Sequence, residues 1–150
     1  MKDAPGSEGM EVFGFFNEVG IINQLSTAIL AACLPDGVHP SHFAIVNHLV
    51  RLGDGKSPVR IAAAMQVTKN TMTHSLKVLS DRGFITVEPD PEDGRGKIVR
   101  LTDAGRAFRE TAIRSVLQRF GDIVTPAHQD AMQRVLGDLV MIRKLLDENR

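Results

Sequence analysis

The chain contains 150 residues, of which 43% are hydrophobic and 24% are charged, and its 18 basic side chains balance its 18 acidic ones at a pI near 7.0. This composition is typical of an ordinary globular domain and excludes a disordered, fibrous or uniformly basic chain. The longest hydrophobic run, residues 28–34, is far shorter than the roughly 20 residues that cross a bilayer, and the single cysteine excludes an intrachain disulfide, so we expect a cytoplasmic protein with no membrane partner.

The first third of the chain predicts a short tail and two helices. Residues 1–10 have neither the basic start nor the apolar stretch of a secretory signal, and they are predicted to form a disordered tail before a single domain over 11–150. Hydrophobic residues recur at steps of three and four from Glu11 to Leu34, which predicts a helix that ends at Pro35. A second helix is predicted from Ser41 to Leu52.

Two N-capped helices are predicted next, joined by a tight turn. Ser57 precedes a proline and has the side chain of an N-cap for a short helix from Val59 to Met65. Thr68 has the side chain of a second N-cap, for a helix that extends to about Arg82 and ends before Gly83.

The hydrophobic period then changes from 3.6 to 2 residues. Two short strands are predicted, Phe84 to Glu88 and Lys97 to Leu101, with an exposed, charged loop over 89–96 between them. A helix from Asp103 to about Phe120 and a last helix that begins at Thr125 complete the chain.

This order of elements predicts a mainly α fold with a small β-hairpin wing, a winged helix-turn-helix. In such a fold the second helix of the turn enters the major groove of DNA while the wing contacts the neighbouring backbone. The charges support this interpretation, because residues 1–50 carry one basic and five acidic side chains, residues 51–100 carry nine basic and six acidic ones, and no acid lies between Asp54 and Asp81. The alternative is an ordinary solvated helix face.

Several stretches also resemble one family. These are His42–Leu49, Arg60–Thr73, Leu79–Ile85, and Asp90–Arg95 followed by Leu101–Arg106, which are similar to the second helix, the helix-turn-helix, the exit into the wing and the wing signature of the MarR family of bacterial transcriptional regulators. The resemblance implies a homodimer, with dimerisation helices over 11–34 and 103–150 and a DNA-binding region over 38–102. It also implies a ligand-responsive repressor that binds double-stranded DNA at an inverted-repeat operator.

By position, the resemblance makes Arg95 the wing arginine, oriented by a charge-assisted hydrogen bond that its guanidinium donates to Asp93, with Lys97 beside it. The predicted DNA contacts are Ser57, Thr68, Lys69, Asn70, Thr71, Thr73, His74, Lys77, Asp93, Arg95 and Lys97. The chain has Val87, Glu88 and Gly94 where the family often has arginines, so we expect a weaker wing contact and repulsion between Glu88 and phosphate. A protein-interaction module with weak DNA affinity therefore remains an alternative.

Sensing functions and catalysis find less support. A pocket for a small aromatic effector is predicted around Phe15, Phe16, His39, His42 and Phe43. His39, His42 and His48 are interpreted as structural histidines rather than zinc ligands, since His42 and His48 lie on different helix faces. Cys33 follows an apolar helix, whose C-terminal end does not stabilise a thiolate, so a buried inert thiol is favoured over a peroxide sensor. A redox-sensing or metal-sensing regulator stays an alternative, and no motif indicates an enzyme or a cofactor.

Overall fold

The computed structural model describes residues 6–149 and confirms the mainly α fold with a β-hairpin wing. Its elements follow one another in the predicted order: α1 (Ser7–Ala32), α2 (Pro40–Leu52), α3 (Pro58–Met65), α4 (Lys69–Asp81), β1 (Ile85–Pro89), β2 (Lys97–Leu101), α5 (Asp103–Gly121) and α6 (Pro126–Glu148). None of the described helices is both long and apolar enough to span a membrane.

The first helix differs most from its prediction. α1 begins at Ser7, four residues before Glu11, so part of the predicted tail is helical, while residues 1–5 lie outside the described residues. The carboxylate of Glu8 lies in the first turn, where it interacts favourably with the helix dipole and extends the helix toward the N-terminus. α1 ends at Ala32 rather than Leu34, because the residue before a proline is disfavoured in the helical conformation.

The described chain divides into two compact units, one up to Val116 and one from Leu117. The first contains a hydrophobic core made by α2, α3, α4, the hairpin, the first half of α5 and the loop before α2. Its members are Val38, Ile45, Val46, Leu49, Ile61, Ala62, Met72, Leu76, Leu79, Ile85, Val99 and Phe108. In the second unit, α6 buries none of its residues. The same is true of α1 in the first unit, although both helices are rich in large apolar side chains.

Local hydrogen bonds fix the turn between α3 and α4, and both predicted N-caps are confirmed. The Ser57 hydroxyl accepts a hydrogen bond from the N–H of Arg60 at 3.3 Å, and the Thr68 hydroxyl accepts one from the N–H of Thr71 at 3.1 Å. Between the two helices, Gln66 adopts a left-handed conformation with φ of 54°, which ends α3 sharply. The two helices are therefore held by caps at both of their N-termini.

The hairpin packs closely against the start of α5. Ile85 pairs with Leu101 and Pro89 with Lys97, so β1 is shifted by one residue from its predicted start at Phe84. The Thr102 hydroxyl donates to the carbonyl of Gly83 at 2.6 Å and accepts from the N–H of Gly105 at 3.0 Å. α5 consequently passes so near the backbone of Phe84 that a Cβ on Gly105 would clash with the Phe84 carbonyl oxygen.

Candidate nucleic-acid interface

The predicted DNA-contacting residues of α4 lie together on one side of this helix. The side chains of Met72, Ser75, Leu76 and Leu79 are buried against the core. Every predicted contact on or next to α4 lies on the exposed side instead, namely Thr68, Lys69, Asn70, Thr71, Thr73, His74 and Lys77. The helix thus presents a polar surface, rich in hydroxyl and amide groups and free of acids along its first three turns.

The side chains on this face differ in whether they already form hydrogen bonds or ion pairs within the protein. The Thr73 hydroxyl donates to the carbonyl of Lys69 at 2.8 Å, and Lys77 forms an exposed ion pair with Asp81 at 2.7 Å. Such an exposed pair is worth at most about 1 kcal/mol, so phosphate can compete for Lys77. The side chains of Lys69 and Asn70 form no hydrogen bond or ion pair with other described residues, which leaves them available to a ligand.

The wing tip contradicts one predicted interaction. Asp93 does not hold the guanidinium of Arg95, and Arg95 takes part in none of the ion pairs within residues 6–149. The Asp93 carboxylate instead accepts a hydrogen bond from the backbone N–H of Arg95 at 3.1 Å, as aspartates commonly do two residues ahead in a turn. Asp93 therefore shapes the loop, and the Arg95 side chain extends from it exposed.

Glu88 is not a bare negative charge on the wing. Its carboxylate accepts a hydrogen bond from the Thr86 hydroxyl at 2.8 Å, and Arg100 Nε lies 3.7 Å from its other oxygen. The expected repulsion of phosphate is accordingly offset by a cation on the facing strand. This partner could not be found from the sequence, because it depends on the strand register.

A charged cleft of about 560 Å³ lies between the wing and the loop before α3. Ser57 and Lys97 line it, together with three cations that were not among the predicted contacts, Lys56, Arg60 and Arg100. Lys56 and Arg60 belong to the stretch without acids, and that absence was the sequence signal that could have found them. Acids from the wing tip and from the loop line the same cleft, so its charge is mixed: Asp54, Asp90, Glu92 and Asp93.

His42 and His48 lie in buried or partly buried positions. His42 is only 3% exposed, and its Nδ1 accepts a hydrogen bond from the N–H of His39 at 3.0 Å, at the start of α2. Burial lowers the pKa of His42, and the positive charges of His39, His74 and Arg82 lower it further. Burial also lowers the pKa of His48, with Lys56 and Arg51 contributing. Among residues 6–149, no three His, Cys, Asp or Glu side chains are grouped as metal ligands would be.

Acidification is expected to destabilise the protein partly through His42. Because its pKa lies below the ordinary value of 6.5 in the folded state, its contribution is complete above pH 6.5 and is lost as the pH falls through the lowered pKa. In His42→Asn, an uncharged oxygen can accept the same hydrogen bond from His39, so this part of the pH dependence disappears. Urea unfolding of both proteins at pH 7.5 and 5.5 measures the effect. An equal loss of stability between pH 7.5 and 5.5 in the wild type and in His42→Asn would contradict this prediction.

The five residues of the predicted effector pocket have different surroundings within residues 6–149. Phe15 and Phe16 contact each other on exposed parts of α1, His39 is exposed, and His42 is buried. Phe43 packs edge-on against Phe108 at 6.3 Å. None of these five residues lines the apolar cavity found elsewhere in the first unit.

That cavity has a volume of about 530 Å³ and lies between the end of α1 and the first half of α5. Its walls are Ala32, Cys33, Leu34, Pro35, Phe84, Ala104, Ala107, Phe108, Thr111 and Ala112. Phe84 and Phe108 stack at 4.4 Å to make one side. Cys33, which is half-buried, is thus a wall residue of a cavity. Periodicity could not reveal this site, because segments about 50 and 70 residues apart in the chain form it.

Comparisons with known proteins agree with this architecture. Residues 36–96 match the model of the MarR family. The HTH-type transcriptional regulator PecS of Dickeya dadantii (strain 3937) is 27% identical over 94 residues, which cover 63% of this chain but only 57% of PecS. The match therefore spans little more than half the length of that relative.

Solved structures extend the similarity to most of the chain. Apo MarR from E. coli superposes with a TM-score of 0.69 at 22% identity, over 82% of this chain and 94% of MarR. A variant of E. coli MarR in complex with operator DNA superposes with a TM-score of 0.62 at 22% identity, over 86% of this chain and 95% of the variant. BpsR of Bordetella bronchiseptica superposes with a TM-score of 0.62 at 24% identity, over 85% of this chain and 98% of BpsR. The DNA binding of BpsR is regulated by 6-hydroxynicotinic acid. The segment similar to the MarR family model contains α4 and β1, and most of the chain shares the fold of these solved winged-helix regulators.

Proposed function

We propose that the protein is a cytoplasmic repressor that binds an inverted-repeat operator as a homodimer and releases it when a small aromatic molecule binds. The observation that carries the DNA part is the exposed face of α4, where Lys69 and Asn70 are unengaged beside the capped N-terminus. An asparagine amide can pair with an adenine edge, and a lysine at a helix N-terminus complements a phosphate held there. The solved complex of a MarR variant with operator DNA supports the assignment.

Selection of bound fragments from a random DNA pool tests this function even though the operator sequence is not known. We expect enrichment of an inverted repeat whose half-sites are centred roughly 34–36 Å apart, about one turn of DNA. Binding should weaken steeply between about 50 and 200 mM salt. Absence of any enriched sequence, with a folded protein, would indicate the alternative of a protein-interaction module.

Lys69→Ala and Arg95→Ala are each expected to weaken operator binding by about threefold to tenfold and to reduce the salt slope by about one unit. The physical reason is that each side chain would neutralise one phosphate and release its counterion. Fluorescence anisotropy at several salt concentrations gives both quantities. Lys144→Ala and Arg134→Ala on α6 remove the same charges outside the winged helix and serve as controls. Wild-type affinity in both test variants would reject this surface.

The apolar cavity supports the effector part of the proposal. Its volume of about 530 Å³ falls in the range of roughly 300–1,000 Å³ typical of small-molecule sites, and the polar residue Thr111 is among those that line it. BpsR, which shares the fold, responds to a small aromatic acid. An aromatic ring could stack beside Phe84 and Phe108.

Filling the cavity should separate effector response from DNA binding. In Ala107→Trp the new side chain occupies the space of the effector, so we expect operator affinity within about twofold of wild type and loss of release. A panel of small aromatic acids, screened for thermal stabilisation and then for operator release, provides the probe. If a compound releases the variant and the wild type at equal concentrations, the effector site lies elsewhere.

A further inference from the structure

The loop between α2 and α3 is joined to the wing by main-chain hydrogen bonds. The N–H of Gly55 donates to the carbonyl of Val99 at 2.7 Å, and the N–H of Val99 donates to the carbonyl of Lys56 at 2.9 Å. The loop thus adds one rung of a third strand to the hairpin. A two-stranded hairpin alone is marginally stable in water, so this added pairing matters for where the wing lies.

Asp54 strengthens the same junction with its side chain. One carboxylate oxygen accepts a hydrogen bond from the N–H of Leu101 at 2.8 Å, in a half-buried position, and the other lies 3.9 Å from Arg100 Nη1. A hydrogen bond to a charged acceptor is about twice as strong as one between neutral groups. Asp54 therefore attaches the end of β2 to the segment that leads into α3.

Arg100 connects this attachment to the other strand of the wing. Its guanidinium lies between the carboxylates of Asp54 and Glu88, 3.9 and 3.7 Å away, and Glu88 is held by Thr86. It also lies over Gly55, where a Cβ would come within 3.1 Å of Nη1 and where φ of 75° favours glycine. Arg100 thus lies near two protein acids, whereas Arg95 at the wing tip forms no ion pair with any described residue.

We infer that Asp54 is a positioning residue, which together with Arg100 fixes the wing relative to the recognition helix so that Arg95 reaches DNA. The inference rests on the proposed function, and it assigns a role in DNA binding to an acid. Net charge alone predicts the opposite sign, because removal of an acid near the interface reduces repulsion from phosphate. A loss of affinity on removal of Asp54 therefore distinguishes positioning from a charge effect.

A double-mutant cycle on operator binding tests the inference. We expect Asp54→Ala to weaken binding by about fivefold, and Asp54→Asn, whose oxygen can still accept from Leu101, to weaken it by less. Arg95→Ala should cost about threefold to tenfold in the wild type but less than about twofold in the Asp54→Ala background, because a displaced wing no longer delivers Arg95. Lys69→Ala should cost the same in both backgrounds. Glu92→Ala, which removes a wing-tip acid, is the charge control and should not weaken binding.

Amide hydrogen exchange gives a second readout that requires no DNA. In Asp54→Ala the amides of Val99 and Leu101 should exchange at least about tenfold faster, while those of α4 stay unchanged. An equal cost of Arg95→Ala in both backgrounds, tighter binding by Asp54→Ala, or unchanged exchange in β2 would each overturn the inference. If Arg95→Ala has no effect in the wild type, the wing contact of the proposed function fails, and the exchange rates alone decide whether Asp54 anchors the wing. If Asp54→Ala does not fold, Asp54→Asn takes its place in the cycle.

Discussion

Leu136→Glu is expected to convert the proposed dimer into a monomer and to weaken operator binding by at least about a hundredfold. Leu136 is 60% exposed on α6, and several other large apolar side chains on the same side of the helix are also exposed: Met132, Val135, Leu139, Val140 and Leu146. An apolar face of this extent is typical of a surface that another chain covers. Burying an unpaired carboxylate there costs several kcal/mol, and a monomer engages only one half-site.

Sedimentation or light scattering measures the mass, and anisotropy with the selected operator measures the affinity. Gln133→Glu adds the same charge to an exposed polar position of α6 and should leave both quantities unchanged. Phe13→Glu tests α1 in the same way, since Phe13 is 63% exposed. A Leu136→Glu protein that remains dimeric with wild-type affinity would exclude this face of α6 from the interface.

Gly105→Ala should be the most destabilising of the glycine substitutions, with a loss of about 3 kcal/mol in the free energy of unfolding. The new Cβ meets the carbonyl oxygen of Phe84, which is backbone and cannot rotate away. That carbonyl also accepts a hydrogen bond from the N–H of Thr102 at 3.1 Å, so any displacement breaks the junction between the hairpin and α5. Urea unfolding measures the change.

Gly121→Ala is the matched control, because a Cβ at Gly121 meets no atom within 4 Å and Gly121 ends the same helix. We expect its stability to stay within about 0.5 kcal/mol of wild type. Equal urea midpoints for Gly105→Ala and the wild type would show that α5 can move away from Phe84 without cost.

Most of the fold could be predicted because its signals are local. Ser57 and Thr68 cap the helices that follow them, and the change of hydrophobic period after Gly83 marks the wing. The start of α1 was missed because an exposed helical turn with weak periodicity resembles a tail. The exposed side of α4 followed directly from its hydrophobic period, since one side of a helix must face the core.

The parts of the site that were missed depend on contacts between distant residues or on main-chain atoms. Asp93 binds the N–H of Arg95 rather than its guanidinium, a choice set by the turn geometry. The partner of Glu88 is Arg100, which only the strand register reveals. The cavity wall joins Cys33 to Phe84 and Phe108, and no local pattern connects these positions.

The bare surface of α1 has a consequence for how the protein behaves at different concentrations. Among its described residues none is buried, although large apolar side chains occur along most of its length. If a second copy covers them, association and folding share one equilibrium, and the thermal midpoint must rise as the total protein concentration rises. Stability would then follow mass action, so a cell that makes few copies would hold a smaller folded fraction than a concentrated sample does.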